Sequence, residues 1–329
     1  MTVRVACYGL GPIGLGIARL ALARPGLAVV GAIDIDPQKI GRDLGELAGS
    51  GACGVLVRGD PEAALAEARP DVVLHATGSS LAQVAPQLLQ IAAAGANVVS
   101  TCEELVFPWT TQPQLAADLD AAARRAGVTL LGAGVNPGYA MDALPLMLTA
   151  ACERVRAIRV LRVVDASKRR GPLQRKIGAG LTTEEFHARV RDGSVRHVGL
   201  PESLHMIATA LGWTLDSEDD LIMPVIAERE VATEHVQVPA GHVAGVRQVA
   251  RGYIGEREVL TLELRMYLGA PDAQDTVEID GDPPVRMSVA GGFHGDMATA
   301  AIVVNAIPSV RSAAPGLLSM HELPLVHCY

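Results

Sequence analysis

The chain has 329 residues, 49% hydrophobic and 19% charged, with 34 Gly and 20 Pro, a composition that suits a globular protein of two domains and excludes a disordered or fibrous one. A formal net charge of -8 argues against a nucleic-acid partner, whose phosphates need a concentrated positive surface. Nowhere do about 18 apolar residues run together as a membrane span requires, the opening MTVRVACYGLG lacks the apolar run of a signal peptide, and five cysteines without a CxxC pair suit a reducing compartment and no structural zinc, so a cytoplasmic protein is expected.

Residues 1–135 alternate strand-like runs with helical stretches, the pattern of a parallel sheet covered on both faces. Val3 to Tyr8, Leu27 to Asp34, Val55 to Val57, Val72 to Ala76, Val98 to Cys102 and Val128 to Leu131 read as strands. Ile13, Ile17, Leu20 and Ala21 mark one apolar helical face, and Thr111 with Pro113 opens a helix that Gly127 closes. The fold class that follows is α/β, with an N-terminal Rossmann domain built on a doubly wound parallel sheet.

The first strand runs straight into Gly9-Leu10-Gly11-Pro12-Ile13-Gly14, a G-x-G-x-x-G at the mouth of a helix, where the motif has physical meaning. Gly9 permits the tight turn, Gly11 lets the backbone approach a pyrophosphate, and Gly14 allows close helix–strand packing, while the helix N-terminus faces the phosphate charge. Asp34 stands at the end of the second strand, where the fingerprint places an acid for the ribose hydroxyls. An acid there favours NAD. Lys39 and Arg42 follow closely enough to offset its charge if they turn inward, or they lie on a solvated surface, so NADP stays open. After the fourth strand comes the small-residue loop Ala76-Thr77-Gly78-Ser79-Ser80, in which Thr77 and Gly78 would line the cofactor and Ser79 or Ser80 would cap the next helix.

The fifth strand leads into the adjacent acids Glu103 and Glu104. Neighbours on a strand point to opposite faces, so at most one looks at the cofactor. A carboxylate in such a place suits the proton transfers of reductive amination, or is a surface or ion-paired acid.

From about Val155 the texture changes to long β-rich segments: Val225 to Val238, His242 to Tyr253, Val259 to Leu268 and Thr276 to Asp280. With helical stretches at Thr182 to Arg191 and Glu202 to Leu211, this half reads as an α+β domain on a large antiparallel sheet. Met297 to Ala306 reads as a helix that packs back on the first domain. The expected division is therefore 1–135, completed by 295–329, for the dinucleotide and 136–294 for substrate binding and dimerisation. The basic run Lys168, Arg169, Arg170, Arg175 and Lys176 has no aromatic residues interleaved and suits a small anion or a solvated face rather than single-stranded nucleic acid.

Gly9 to Gly14, the Asp34-Ile35-Asp36-Pro37 turn, Ser100-Thr101-Cys102-Glu103-Glu104-Leu105 with Pro108, Gly134-Val135-Asn136-Pro137-Gly138, and Asp165-Ala166-Ser167 through Gln174-Arg175-Lys176 together resemble 2,4-diaminopentanoate dehydrogenases and the native amine dehydrogenases, a branch of the dihydrodipicolinate reductase-like proteins. The resemblance implies NAD(P)-linked oxidative deamination of an amine to a ketone plus ammonia, and the reverse, by hydride transfer in a homodimer. It puts the catalytic glutamate at Glu104 with Glu103 beside it, and places Asn136, Tyr139, the Arg169 region and Thr299 near the substrate. Asn136 with Lys168 and Arg169 suits an amino acid bearing a carboxylate. The chain lacks the adjacent histidines of a dihydrodipicolinate reductase, so that reaction is not expected. His197, His205 and His294 fall near the domain junction, as substrate contacts or as structural histidines. No H-E-x-x-H spacing appears and no catalytic metal is expected. Two other readings stay open: a reductase of a keto or imino acid without ammonia, and a non-catalytic nicotinamide sensor.

Overall fold

Strands β1 (Val3–Tyr8), β2 (Leu27–Ile33), β3 (Val57–Arg58), β4 (Val72–His75), β5 (Asn97–Ser100) and β6 (Thr129–Gly132) join the late strand Gly316–Leu318 in one seven-stranded sheet. The computed structural model describes residues 2–329. All pairings in this sheet are parallel, in the order Gly316–Leu318, β6, β5, β4, β1, β2, β3. Every residue of β4 and β6 is buried, as expected of strands covered by helices on both faces. Because β1 lies between β2 and β4, the chain winds one way through β2 and β3 and the other way through β4 to β6, which leaves a crevice at the carboxyl ends of β1 and β4.

The predicted strands are present with shifted ends: Asp34, Ala76 and Cys102 lie just beyond β2, β4 and β5, and the third strand sits at Val57–Arg58 instead of Val55 to Val57. Helices Pro12–Ala23, Pro61–Ala68, Leu81–Ala93 and Pro113–Ala126 connect the strands, and the last stops at Gly127, whose φ of 71° suits glycine. The chain divides into two units, 1–139 with 294–329, and 140–293. In the first, helix Gly295–Asn305 packs along helix Pro12–Ala23, where a Cβ on Gly16 would lie 4.0 Å from the Ala300 Cβ.

The second unit carries β7 (Arg154–Asp165), β8 (Ser217–Ile226), β9 (Val231–Ala232), β10 (Gln237–Val238), β11 (Val243–Ile254), β12 (Arg257–Tyr267), β13 (Gln274–Asp282) and β14 (Val285–Ala290). Six of them form a sheet in the order β14, β13, β7, β12, β11, β8, and β9 pairs with β10 as a separate hairpin. The sheet is mixed, because β7 and β12 run parallel while its other pairs are antiparallel. Val225 to Val238 is not one strand: the charged Glu228-Arg229-Glu230 run breaks it, and β8 begins earlier, at Ser217. Its acids are tolerated in a strand because the neighbouring strand answers them: Arg251 Nη1 lies 3.1 Å from Asp219, and Gln248 Nε2 lies 2.9 Å from Asp220. Across β7 and β13, buried Arg162 points one nitrogen, Nη1, at both carboxylate oxygens of its register partner Asp275, at 2.9 and 3.0 Å, while its Nη2 donates to the Phe293 carbonyl.

Candidate active site

The turn after β1 is shaped by what two of its glycines exclude. Gly9 has a φ of +88°, and a Cβ there would come 2.5 Å from the Ala76 carbonyl oxygen; one on Gly14 would come 1.8 Å from that of Gly9. Both positions are closed by the protein itself. A Cβ on Gly11 would meet nothing within 4 Å, so only a molecule approaching this backbone from outside would need glycine there. Gly11 is also the N-cap of helix Pro12–Ala23, without a side-chain cap, and the amides of Ile13 and Gly14 therefore point outward with no acceptor inside the helix. A cradle of this shape and polarity fits a pyrophosphate.

Asp34 is buried at the end of β2, with Oδ2 accepting the Leu10 amide at 2.6 Å and Oδ1 accepting the Asp36 amide at 2.8 Å. Lys39 turns inward, its Nζ 3.4 Å from Asp34 and 3.2 Å from Asp36. Arg42 is exposed to solvent. Sequence reasoning did not single out Ile35, which follows Asp34 directly and is 80% exposed, an apolar surface beside the carboxylate. The signal available was its place after the acid.

Ala76 crosses Gly9, its amide donating to the Tyr8 carbonyl at 2.7 Å. Thr77 Oγ1 donates to Gln87 Oε1 at 2.6 Å, and Gly78 packs near Val84. Ser80 is the N-cap of helix Leu81–Ala93 but makes no side-chain cap bond. Glu104 supplies the acceptor instead: its Oε2 takes the Leu81 amide at 2.7 Å and Gln112 Nε2 at 2.7 Å. Both bonds fall on one oxygen, and among the described residues Oε1 has no donor from the protein. Glu103 sits beside it in the 3-10 turn Glu103–Leu105, partly exposed. Gln112, eight residues beyond Glu104 in no recognisable pattern, was missed by sequence reasoning.

The Gly134–Gly138 loop folds back on itself through a cis Asn136-Pro137 bond, and a Cβ on Gly138 would lie 2.7 Å from the Gly134 nitrogen. Both amide atoms of Asn136 are buried without a hydrogen-bond partner among the described residues, an arrangement costing about 1–3 kcal/mol until an outside group supplies the bonds. Thr299 Oγ1 accepts the Val135 amide at 3.2 Å and so braces this loop. Tyr139 follows, partly exposed.

In the second unit, the Arg169 amide closes a turn onto the Ala166 carbonyl at 3.0 Å, and Gln174 Nε2 holds the carbonyls of Ala166, Ser167 and Arg169. The His197 amide donates to Gln248 Oε1 at 2.9 Å, while its buried Nδ1 has no hydrogen-bond partner among the described residues. Burial, then the charges of Lys176, Arg162 and Arg196, lower its imidazole to about 3, so the ring is neutral in a positive setting. His205 pairs with Glu218 at 3.1 Å and His294 caps helix Gly295–Asn305, both structural placements.

Known proteins decide the family. Residues 139–329 match the model of the 2,4-diaminopentanoate dehydrogenase C-terminal domain, and residues 3–102 match that of the dihydrodipicolinate reductase N-terminus. The chain is 32% identical to a 2,4-diaminopentanoate dehydrogenase of Acetoanaerobium sticklandii over 98% of its own length and 94% of that relative. The chain belongs to the 2,4-diaminopentanoate dehydrogenase family. It is also 26% identical to an amine dehydrogenase of Streptomyces virginiae, over 98% of this chain and 96% of the other. A solved amine dehydrogenase structure from Mycobacterium smegmatis is similar with a TM-score of 0.89 at 29% identity, covering 100% of this chain and 98% of that one. As a member of this family the protein is a nicotinamide-dependent oxidoreductase.

No group of three or more His, Cys, Asp or Glu side chains among the described residues is arranged to hold a metal ion, and no helix is long and apolar enough to cross a membrane.

Proposed function

We propose that the protein oxidatively deaminates an amine that carries a carboxylate, a diamino acid of the 2,4-diaminopentanoate kind, to the ketone and ammonia, and runs the reverse reductive amination. The observation that carries this reading is Glu104, a carboxylate fixed at the carboxyl end of the sheet through one oxygen with the other left to act. When bound, the nicotinamide accepts hydride from the amine carbon or returns it to the iminium.

The chain's residues divide the remaining work. The amides of Ile13 and Gly14 would hold the pyrophosphate, with Gly9, Gly11 and Pro12 shaping the turn. Asp34 would take the ribose hydroxyls, Ile35 would lie under the adenine, and Ala76, Thr77 and Gly78 would border the middle of the cofactor. Asp34, Asp36 and Lys39 together leave one net negative charge, which disfavours a 2'-phosphate and makes NAD the preferred cofactor. Glu104 takes a proton from the water that adds to the iminium, then returns it to the departing nitrogen, so amine, oxidised cofactor and water give ketone, ammonium and reduced cofactor. The unpaired amide of Asn136 suits a polar substrate group, and the positive setting of His197, with Arg169, suits the carboxylate.

The same reading has the chain working as a homodimer in the cytoplasm, supported by the family resemblance and by five free cysteines; the molar mass in solution tests the first.

The deciding experiment follows reduced-cofactor oxidation with a panel of keto acids and ketones, with and without ammonium, using NADH and NADPH. Strict dependence on ammonium and a preference for NADH are expected. Equal rates without ammonium would remove amination as the chemistry. Lys39→Ala should widen the preference for NADH.

A further inference from the structure

His75 is fully buried at the end of β4 and takes no part in the chemistry above, yet both its ring nitrogens are engaged. Nε2 lies 2.8 Å from Gln87 Oε1 and 2.9 Å from Thr77 Oγ1. An amide oxygen only accepts, so Nε2 carries the proton. Nδ1, 2.8 Å from Ser100 Oγ, then accepts the serine hydroxyl, and Ser100 Oγ in turn accepts the Cys102 amide at 3.1 Å. Burial holds the imidazole down at about 4, so this neutral tautomer persists throughout the physiological range.

The two arms lead to different places. Through Gln87 and Thr77 the ring reaches the loop after β4, whose Ala76 carbonyl lies against Gly9. Through Ser100 it reaches the start of the turn that bears Glu104, and the Thr101 amide also donates to the His75 carbonyl at 2.9 Å. The two loops touch again where the Glu104 amide meets the Ser79 carbonyl at 3.3 Å. We propose that His75 is a positioning residue that sets the cofactor-side loop and the Glu104 loop against each other through its two ring nitrogens. The inference rests on the proposed roles of the glycine turn and Glu104. It adds that binding and turnover are adjusted by separate arms of one side chain.

The arms separate experimentally. Ser100→Ala cuts the Nδ1 arm and should lower kcat about tenfold to a hundredfold, since small misplacements of a reacting group cost that much, while the dinucleotide Kd stays within about twofold, less than one net hydrogen bond is worth. Gln87→Leu removes the acceptor that Nε2 shares with the Thr77 hydroxyl, leaving Thr77 as the remaining partner of Nε2, and by loosening this arm should raise the dinucleotide Kd about three- to tenfold, the worth of one net hydrogen bond. His75→Gln, whose amide nitrogen replaces Nε2–H, should behave like Ser100→Ala; His75→Asn, whose oxygen replaces Nδ1, should behave like Gln87→Leu. Backbone amide exchange gives the same division without turnover, with faster exchange over 101–104 in Ser100→Ala and over 76–80 in Gln87→Leu. If all four variants lose kcat and affinity in proportion to folded protein, or if exchange rises equally in both loops, His75 is only part of the scaffold and the inference fails. If the unmodified chain binds no dinucleotide or turns over no amine, the functional reading fails, and the exchange pattern still decides for or against the coupling.

Discussion

Gly14 lies so close to Gly9 that a Cβ on it would sit 1.8 Å from the Gly9 carbonyl oxygen. Gly11, between them, has open space where its Cβ would be. The same motif thus contains glycines required for different reasons, and substitution separates them.

Gly14→Ala should fail to fold or lose more than the usual overpacking cost of about 1–3 kcal/mol, because backbone rather than a flexible side chain must move. Gly11→Ala should fold, losing about 1 kcal/mol or less at a helix N-cap, but bind the dinucleotide at least tenfold more weakly. Thermal unfolding and calorimetric titration read the two effects. Unchanged affinity in Gly11→Ala would mean that no phosphate approaches this backbone.

Glu104 caps a helix as well as facing the proposed chemistry, so its two roles need separate readouts. Glu104→Gln keeps an oxygen for the Leu81 amide and should retain the folded state while kcat falls about 10²- to 10⁴-fold, the usual worth of general acid/base assistance. Glu104→Ala should add a stability loss of about 0.5–2 kcal/mol from the missing cap. Gln112→Ala frees the carboxylate on one side and should lower kcat by a smaller factor. Full activity in Glu104→Gln would leave the residue as a helix cap alone.

These roles differ in how far the sequence reveals them. Gly9, Gly11, Gly14 and Asp34 are legible because a dinucleotide turn imposes both residue type and spacing on a short stretch of chain. Lys39 reads from sequence as solvated more readily than paired, because lysines are mostly exposed, and only the fold of the turn brings it to both carboxylates. The strand Gly316–Leu318 is too short for any periodicity and exists because β6 offers it an edge. The start of β8 at Ser217 is hidden for a related reason: Asp219 and Asp220 look like loop residues until Arg251 and Gln248 arrive from β11. Likewise, the helix-capping bond of Glu104 depends on Leu81, 23 residues away, and no local pattern announces it.

Stability should fall on mild acidification. His75 is held at about 4 when folded, against an ordinary 6.5, so between these values the unfolded chain binds a proton that the folded chain refuses. Its contribution is complete above about pH 6.5, declines as pH falls below that, and levels off below about pH 4. At pH 5 the loss relative to pH 7 should be about 2 kcal/mol from this residue. Urea unfolding at both pH values measures it. His75→Gln, which cannot titrate, should show a difference smaller by that amount, and an identical pH dependence in the variant would refute the assignment.

The second unit depends on a pair that its sequence does not advertise. Arg162 and Asp275 are 3% and 2% exposed, and Asp275 also accepts the Phe293 amide at 2.7 Å. Burial pushes the Arg162 guanidinium down and the Asp275 carboxyl up, and each charge is held in place by the other. Removing one partner leaves the other charged and enclosed, so Asp275→Asn should cost about 3–5 kcal/mol. Replacing both, as Arg162→Met with Asp275→Leu, should recover much of that loss, because apolar side chains need no countercharge. The comparison requires urea midpoints for the two single variants and the double. Additive losses in the double variant would show that the two charges do not act as a pair, whereas recovery ties the stability of β7 and β13 to their mutual neutralisation.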